Sequence, residues 1–338
     1  MATISDSEPL PADDDSSYVP YDPNTLLEQE EFWRDHQVWL AEKGYMLRPR
    51  FRPDWKPSWQ PGDLPSRYED GSIHLLDATR LSDNSLVMLK HIDRNVHPHE
   101  LEIGQYFSQE PLLSHPKNHC VPVFDVLDIP NSDNESILVM PLLREYDNPR
   151  LKSVGEAVDY FRQIFEGLQF MHQCHVAHRY KGQPFTPWTC LISSRDCMNR
   201  NIMMDPKPTF PKLYHPSDDR RNLNFKGRVK YYTRTARPTK YFLIDFGLSR
   251  KYNPEDGEPR EIPIKGGDKT VPEFRGRGEF KARNPFPTDI YYLGNMIRED
   301  FLQVCVLVTY IHMCRSENLS ANEGSRVYGA AGERHGPR

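Results

Sequence analysis

The chain has 338 residues, 37% of them hydrophobic and 27% charged, so it is long enough for one large domain or two ordinary ones around a buried core. Its net charge of −5 and isoelectric point near 6.2 give no overall pull toward nucleic acid or an anionic membrane. Six scattered cysteines without a CxxC pair fit a reducing compartment, cytoplasmic or nuclear, better than a disulfide framework.

Residues 1–25 are acidic and rich in Pro and Ser, which predicts disorder; they lack the basic and apolar regions of a signal peptide. From Leu26 to Tyr45 apolar residues recur at helical spacing (Leu27, Phe32, Trp39, Leu40), and Gly44 marks the stop. The following "RPRFRPDWKPSWQPGDLPS" has no period. It reads as an extended strap whose tryptophans pack as pegs, rather than as a stacking surface for single-stranded nucleic acid. Two apolar runs, "SIHLLDATRL" and "SLVMLKHI", flank a turn and predict a β-hairpin. "HPHELEIGQYF" predicts a short helix, and "CVPVFDVLDI" and "ESILVMPLL" predict two more strands around "PNSDN". His97, His99, His115, His119 and Cys120 match no common zinc spacing.

The best helix is "SVGEAVDYFRQIFEGLQFMHQC". Ser153 and Glu156 form a capping box, and Val158, Phe161, Ile164, Phe165, Leu168 and Met171 are expected on one buried face. "NIMMD" predicts a strand. "RVKYYTRT" and "TKYFLIDF" around "ARP" predict a second hairpin, which accounts for their basic and aromatic residues more simply than an RNA surface does. Near the C-terminus "FLQVCVLVTYIHM" is too short to span a bilayer. Strands dominate the first half and helices the second, so the expected class is α+β.

Three stretches stand in a telling order: "VMLK" ending in Lys90, "HR…DCMNRN" carrying Arg179, Asp196 and Asn201, and "FLIDFG" carrying Asp245 and Gly247. Together they resemble the protein-kinase set V-A-I-K, H-R-D-x-x-x-x-N and D-F-G. "VPE" at 271–273 looks like the A-P-E that follows, and "DIYYLG" at 289–294 looks like the start of the helix behind the catalytic loop. The wording is closest to kinase-like proteins abundant in mushroom-forming fungi.

The resemblance implies a two-lobed fold over residues 68–303, with an antiparallel sheet lobe (68–140) and a mainly helical lobe (141–303). Residues 26–67 form the helix and strap ahead of it. The implied cofactors are ATP and Mg2+, and the implied partner is a protein substrate, with neither nucleic acid nor membrane. In this picture Lys90 holds phosphates and is kept in place by a carboxylate, Glu102 by preference and Glu100 as the alternative. Asp196 accepts the proton of the attacking hydroxyl. Asn201 and Asp245 hold magnesium, and Gly247 completes the turn. Met140 gates the adenine pocket, with Leu142 in the hinge. Arg179 is the usual partner for an activation-loop phosphate, and the loop is held by backbone hydrogen bonds to Asp289.

The chain departs from the pattern in four places. No G-x-G-x-x-G precedes Lys90; only Gly62 and Gly71 are near, which weakens the expected grip on phosphates. Met198 stands where Ser/Thr kinases carry Lys, with Arg200 as the substitute. "YKGQPFTPWTCLISSR" (180–195) separates Arg179 from Asp196, and residues 304–338 do not resemble the remaining helices, so the helical lobe reads as cut short. These departures leave two expectations, an impaired kinase or a pseudokinase acting through binding. The last two departures read as translated introns, since excision of the first restores an unbroken H-R-D-x-x-x-x-N and Val304-Cys305 can be encoded by GTATGT. Transcripts sequenced across both points are expected to lack both segments; mature messages that keep both overturn the intron reading.

Overall fold

The computed structural model describes residues 26, 28–53, 55–56, 74–179, 201–224, 226–262, 270–274, 276 and 281–303. Expectations placed on residues 1–25, 180–200 and 304–338, and on Gly62 and Gly71, lie outside the described residues. The protein is α+β, built around a five-stranded antiparallel sheet. Its strands are β1 (Tyr45–Leu47), β2 (Leu75–Arg80), β3 (Ser85–Asp93), β4 (Asp125–Asp128) and β5 (Glu135–Pro141), in the spatial order β1-β2-β3-β5-β4.

The strands alternate, so the sheet has two buried faces. Leu76, Ala78, Val87, Leu89, Ile137 and Val139 face one side. Ile92, Leu138 and Met140 face the other. The first face is covered by α1 (Glu28–Asp35), α2 (Gln37–Glu42) and a 3-10 turn at Pro49–Phe51, through the fully buried Trp33, Leu40 and Phe51. The single helix expected over 26–45 is thus two. His36 Nδ1 donates to the Phe32 carbonyl (2.7 Å), the acceptor that its own backbone N–H uses at 3.3 Å, and this local competition bends the chain there. Gly44 ends the helical run at φ +93°, where a side chain would be strained.

The expected strap begins with a regular turn, and its residues 57–66 lie outside the described residues. Arg50 is buried and donates twice, through Nε and Nη2, to the two oxygens of Glu30 (both 2.9 Å), and Trp55 lies 5.1 Å from its guanidinium. Arg48 pairs with Asp77 (3.1 Å) and donates to Ser217 Oγ (2.6 Å).

The second face packs on α3 (Glu100–Phe107) and on the core shared by α4 (Val154–Gln173) and α5 (Pro285–Ile297). Short strands complete this part: β6 (Arg144–Glu145), β7 (Val176–Ala177), β8 (Ile202–Met204), β9 (Tyr214–His215), β10 (Asp218–Asn222), β11 (Tyr241–Leu243) and β12 (Arg250–Lys251). β8 lies between β11 and β6, and β12 pairs with β7.

Three expectations need correction here. The buried face of α4 carries Tyr160, Ile164, Leu168 and Met171, whereas Val158 and Phe165 are exposed. The cap is half reciprocal: Ser153 accepts from the Glu156 N–H (3.2 Å), but the Glu156 carboxylate accepts from Lys152 N–H (2.6 Å) and from Thr235. The second hairpin does not form either. β11 pairs with β8, and residues 229–240 run without a strand, mostly exposed. Among the described residues no helix is long and apolar enough to cross a membrane.

Glu30 and Arg50 are 0% and 4% exposed, so each depends on the other for its charge. Glu30→Gln is expected to cost about 3–5 kcal/mol in denaturant unfolding, whereas Glu30→Met with Arg50→Leu should recover most of it. Equal losses in the single and the double variant would show that the pair is not the source of the effect.

Candidate active site

The site begins with a register. On β3, Lys90 stands opposite Leu138 of β5 and Leu75 of β2. Alternation then sends its side chain to the face shared with Ile92, toward α3. Glu100 is the first residue of α3, and its Oε1 accepts from Lys90 Nζ in an ion pair. Glu102 does not take this place. Two residues along a helix is a turn of about 200°, so it faces outward. The Glu102 carboxylate is 64% exposed and lies 3.8 Å from His99, whereas that of Glu100 is 2% exposed. The spacing of Glu100, Ile103, Gly104 and Phe107, all buried, is the signal that would have picked the right carboxylate.

Asp245 arrives by a second register. β11 and β8 pair through Leu243 and Ile202, so the Ile244 N–H donates to the Asn201 carbonyl (3.0 Å). This sets Asn201, half-buried, one residue from Asp245. The chain then turns through Asp245 in the left-handed region (φ +63°, ψ +73°), a conformation that Asp tolerates better than most residues. The turn drives Phe246 inward, between the rings of Phe107 (6.3 Å) and His178 (5.8 Å), and leaves the Asp245 carboxylate 48% exposed. Asp245 Oδ1 accepts from Lys90 Nζ at 2.7 Å.

Gly247 follows because nothing larger fits. A Cβ there would lie 2.7 Å from His97 Nδ1 and 3.1 Å from Glu100 Oε2. His97 Nδ1 donates to the Gly247 carbonyl (3.3 Å) and so ties this turn to the start of α3. Sequence reading missed this role for His97; its place three residues before Glu100 was the available cue.

The remaining site residues lie around this centre. Met140 stands opposite Met88 at the end of β5, two positions beyond Lys90's partner, and both Met140 and Leu142 are buried. Arg179 has φ +57°. Asp289, on α5, accepts from the backbone N–H of His178 (2.8 Å) and Arg179 (2.7 Å) and from His172 Nε2 (3.0 Å). The Arg179 guanidinium points the other way. It pairs with Glu261 (3.3 Å) and donates to the carbonyls of Leu248 (3.4 Å) and Ile262 (3.2 Å). Asp196 lies outside the described residues. The histidines weighed as zinc ligands go separate ways: His119 Nδ1 donates to the Tyr241 carbonyl, and His115 stacks on Phe170. Among the described residues no group of three or more His, Cys, Asp or Glu side chains is placed to hold a metal.

Charge at the centre is uneven. Burial pulls the Lys90 ammonium toward deprotonation, but the Glu100 and Asp245 carboxylates outweigh it and hold its pKa above the ordinary value. Burial raises Glu100, with Lys90 only partly opposing. For Asp245 burial acts upward too, but Lys90 leads the groups that outweigh it and lower it. His178 is kept neutral by burial, with Nε2–H donating to the Ile244 carbonyl (3.1 Å). The arrangement is a cation held between a sequestered carboxylate and a half-open one, beside an amide-bearing loop. Such a set can orient an anion and a divalent cation next to each other.

No protein-family model matches the chain, and no curated protein matches it significantly.

Gly247→Ala is expected to cost about 1–3 kcal/mol in denaturant unfolding, because the new methyl pushes against His97 and Glu100. Glu102→Gln, on the solvent side, should stay within about 0.5 kcal/mol of the parent. Comparable losses in the two variants would contradict the packing described.

Proposed function

We propose that the chain is a kinase-like phosphotransferase of two-lobed fold, its sheet lobe taking in α1, α2 and β1 as well as 68–140 and its helical lobe 141–303, acting on a protein hydroxyl with Mg-ATP. One observation carries this reading: Lys90 on the third strand is ion-paired both with Glu100, on the helix that follows, and with Asp245 of the Asp-Phe-Gly turn. In protein kinases a third-strand Lys, a Glu of the next helix and the Asp of D-F-G must be brought together before phosphoryl transfer. The hydrogen bonds from His178 and Arg179 to Asp289 lend support, since the resemblance implies them.

The residues present fit the implied cofactors. Magnesium is commonly held by one or two protein oxygens and completed by substrate phosphates, so Asp245 with its half-open carboxylate and Asn201 beside it suffice. When bound, the cation neutralises charge on the phosphate oxygens. Lys90 would orient the nearer phosphates, Glu100 would hold Lys90, and Met140 and Leu142 would border the base. Asp196 would take the hydroxyl proton, and Arg179 would steady the segment after Gly247.

A second reading, a weak or inactive pseudokinase, draws on a separate observation. Asp245 already occupies the Lys90 ammonium at 2.7 Å, so a phosphate must compete with it. The sequence also offers no glycine-rich cover to help.

The first test is a thermal melt of the full chain with Mg-ATP. A nucleotide at a hundred times its Kd adds about 2.7 kcal/mol, and the melting temperature should rise by several degrees. Asp245→Asn should lose the part of the rise that depends on magnesium. Transfer of labelled phosphate to a generic protein substrate then separates the readings: a melting shift without transfer favours the pseudokinase. No shift at millimolar Mg-ATP would falsify the phosphotransferase and leave only a pseudokinase that acts without nucleotide.

A further inference from the structure

Between Arg220 and Lys240 the chain carries eight cations (Arg220, Arg221, Lys226, Arg228, Lys230, Arg234, Arg237, Lys240) and no carboxylate, in a protein of net charge −5. Strand alternation accounted for the part from Arg228 onward at the sequence level, and the structure leaves residues 229–240 without a strand. Instead, Arg220–Val229 folds back on itself. Arg221 and Arg228 form an isolated antiparallel bridge, the Val229 N–H donates to the Arg220 carbonyl (2.9 Å), and the Asn222 N–H donates to that of Gly227 (3.3 Å).

Two arginines thus stand directly opposite each other. Like charges in that position destabilise the pairing unless something neutralises them. The acid seen near them is Asp218, 3.8 Å from Arg221. Arg220, Lys226, Arg228, Lys230, Arg237 and Lys240 have no ion-pair partner among the described residues; Arg234 alone is buried, donating to the Tyr146 carbonyl. The patch therefore has cations in excess and an anion wanting.

The aromatic residues here do not suit nucleic acid. Arg237 covers the Tyr232 ring at 4.0 Å, and Tyr231 leans on Phe210 with centroids 5.8 Å apart. Base stacking needs bare aromatic faces. Point charges, spaced along a hairpin, suit carboxylates on an extended peptide.

Such a peptide exists within the chain. Residues 1–25 hold six carboxylates (Asp6, Glu8, Asp13, Asp14, Asp15, Asp22) and no Lys or Arg. The place where this segment joins the fold is linked to the patch through side chains. Glu30 of α1 is tied to Arg50, and Arg48, two residues away, donates to Ser217, next to β10. A 25-residue segment reaches roughly 80 Å when extended, so length sets no barrier. We infer that the acidic segment Asp6–Asp22 docks on the basic hairpin Arg220–Lys230 of the same chain. Docking neutralises the Arg221–Arg228 pair, and the patch becomes available to other anions only when the segment leaves. The inference does not depend on the proposed phosphotransfer.

The test is zero-length carbodiimide cross-linking of the full chain at low salt, mapped by mass spectrometry. Cross-links from Lys226 or Lys230 to Asp13–Asp15 are expected, falling several-fold at 0.5 M salt and lost on Asp13→Asn/Asp14→Asn/Asp15→Asn. In an equal mixture with isotope-labelled chain, these links should join peptides of one isotope only. Mixed-isotope links would assign the patch to a second copy and overturn the inference. So would links spread evenly over remote lysines such as Lys43 and Lys117. Tight binding of a poly-U oligonucleotide by the parent chain, unchanged in the triple variant, would show an open patch and overturn it as well.

Discussion

The ammonium of Lys90 governs the geometry of this protein. It lies on the inner face of a sheet, largely removed from water, and a cation there persists only with carboxylates at hand. Two answer it from very different distances in sequence: Glu100, ten residues later, and Asp245, far along the chain. Each answer imposes a cost elsewhere. Glu100 must lead a helix, so α3 has to start against β3 with Ile103 and Phe107 turned inward. Asp245 must leave a strand and face back, which requires a left-handed backbone at a residue that is not glycine. The next residues follow from that turn: Phe246 falls into the core, and position 247 has no room for a Cβ.

Asp289 plays the corresponding part in the helical half. Its carboxylate is 1% exposed, and three donors converge on it, two of them backbone N–H groups. A buried carboxylate with such partners fixes the backbone more firmly than an apolar contact would, because every donor lost leaves a charge less satisfied. Residues 178 and 179 are thereby pinned to α5, and β7 is pinned to β12 by the ladder of Val176 and Ala177. Arg179 can then reach Glu261 and two carbonyls beyond it. The segment after Gly247 is thus held through Arg179, whose backbone Asp289 fixes.

Much of this was legible in the residues. Lys90, Asp245 and Gly247 sit in strands and turns whose alternation and punctuation are strong, and the hairpin of β2 and β3 needed only its "SDN" turn. What failed were phases and faces. Glu100 and Glu102 are equally plausible acids by composition; only the position of Ile103 and Phe107 relative to the sheet decides between them. The inner face of α4 was set by the rings of Tyr146, stacked on Tyr160 at 4.6 Å, and Tyr241, edge-on to it at 4.9 Å, and long-range partners of this kind leave no mark on local periodicity. The second hairpin looked sound because Tyr, Val and Thr favour strands. But β11 had a better neighbour in β8, whose apolar residues complete a buried ladder, and the basic arm was left with no face to cover.

The two carboxylates on Lys90 differ in a way that matters for what the centre can do. Glu100 is sealed, and burial makes its charged form costly unless Lys90 stays in place; the pair is therefore held together by the expense of separating it. Asp245 is half open to solvent, and Lys90 outweighs burial to hold its pKa down, so it stays ionised beside the ammonium. Drawing Asp245 away from Lys90 leaves a half-open carboxylate, while drawing Glu100 away leaves a buried one. The ammonium thus has one fixed ligand and one replaceable ligand, and the replaceable one faces the open side, next to Asn201. A site that must admit an anion and a metal ion, and release both, needs that inequality between its acids more than it needs either acid alone.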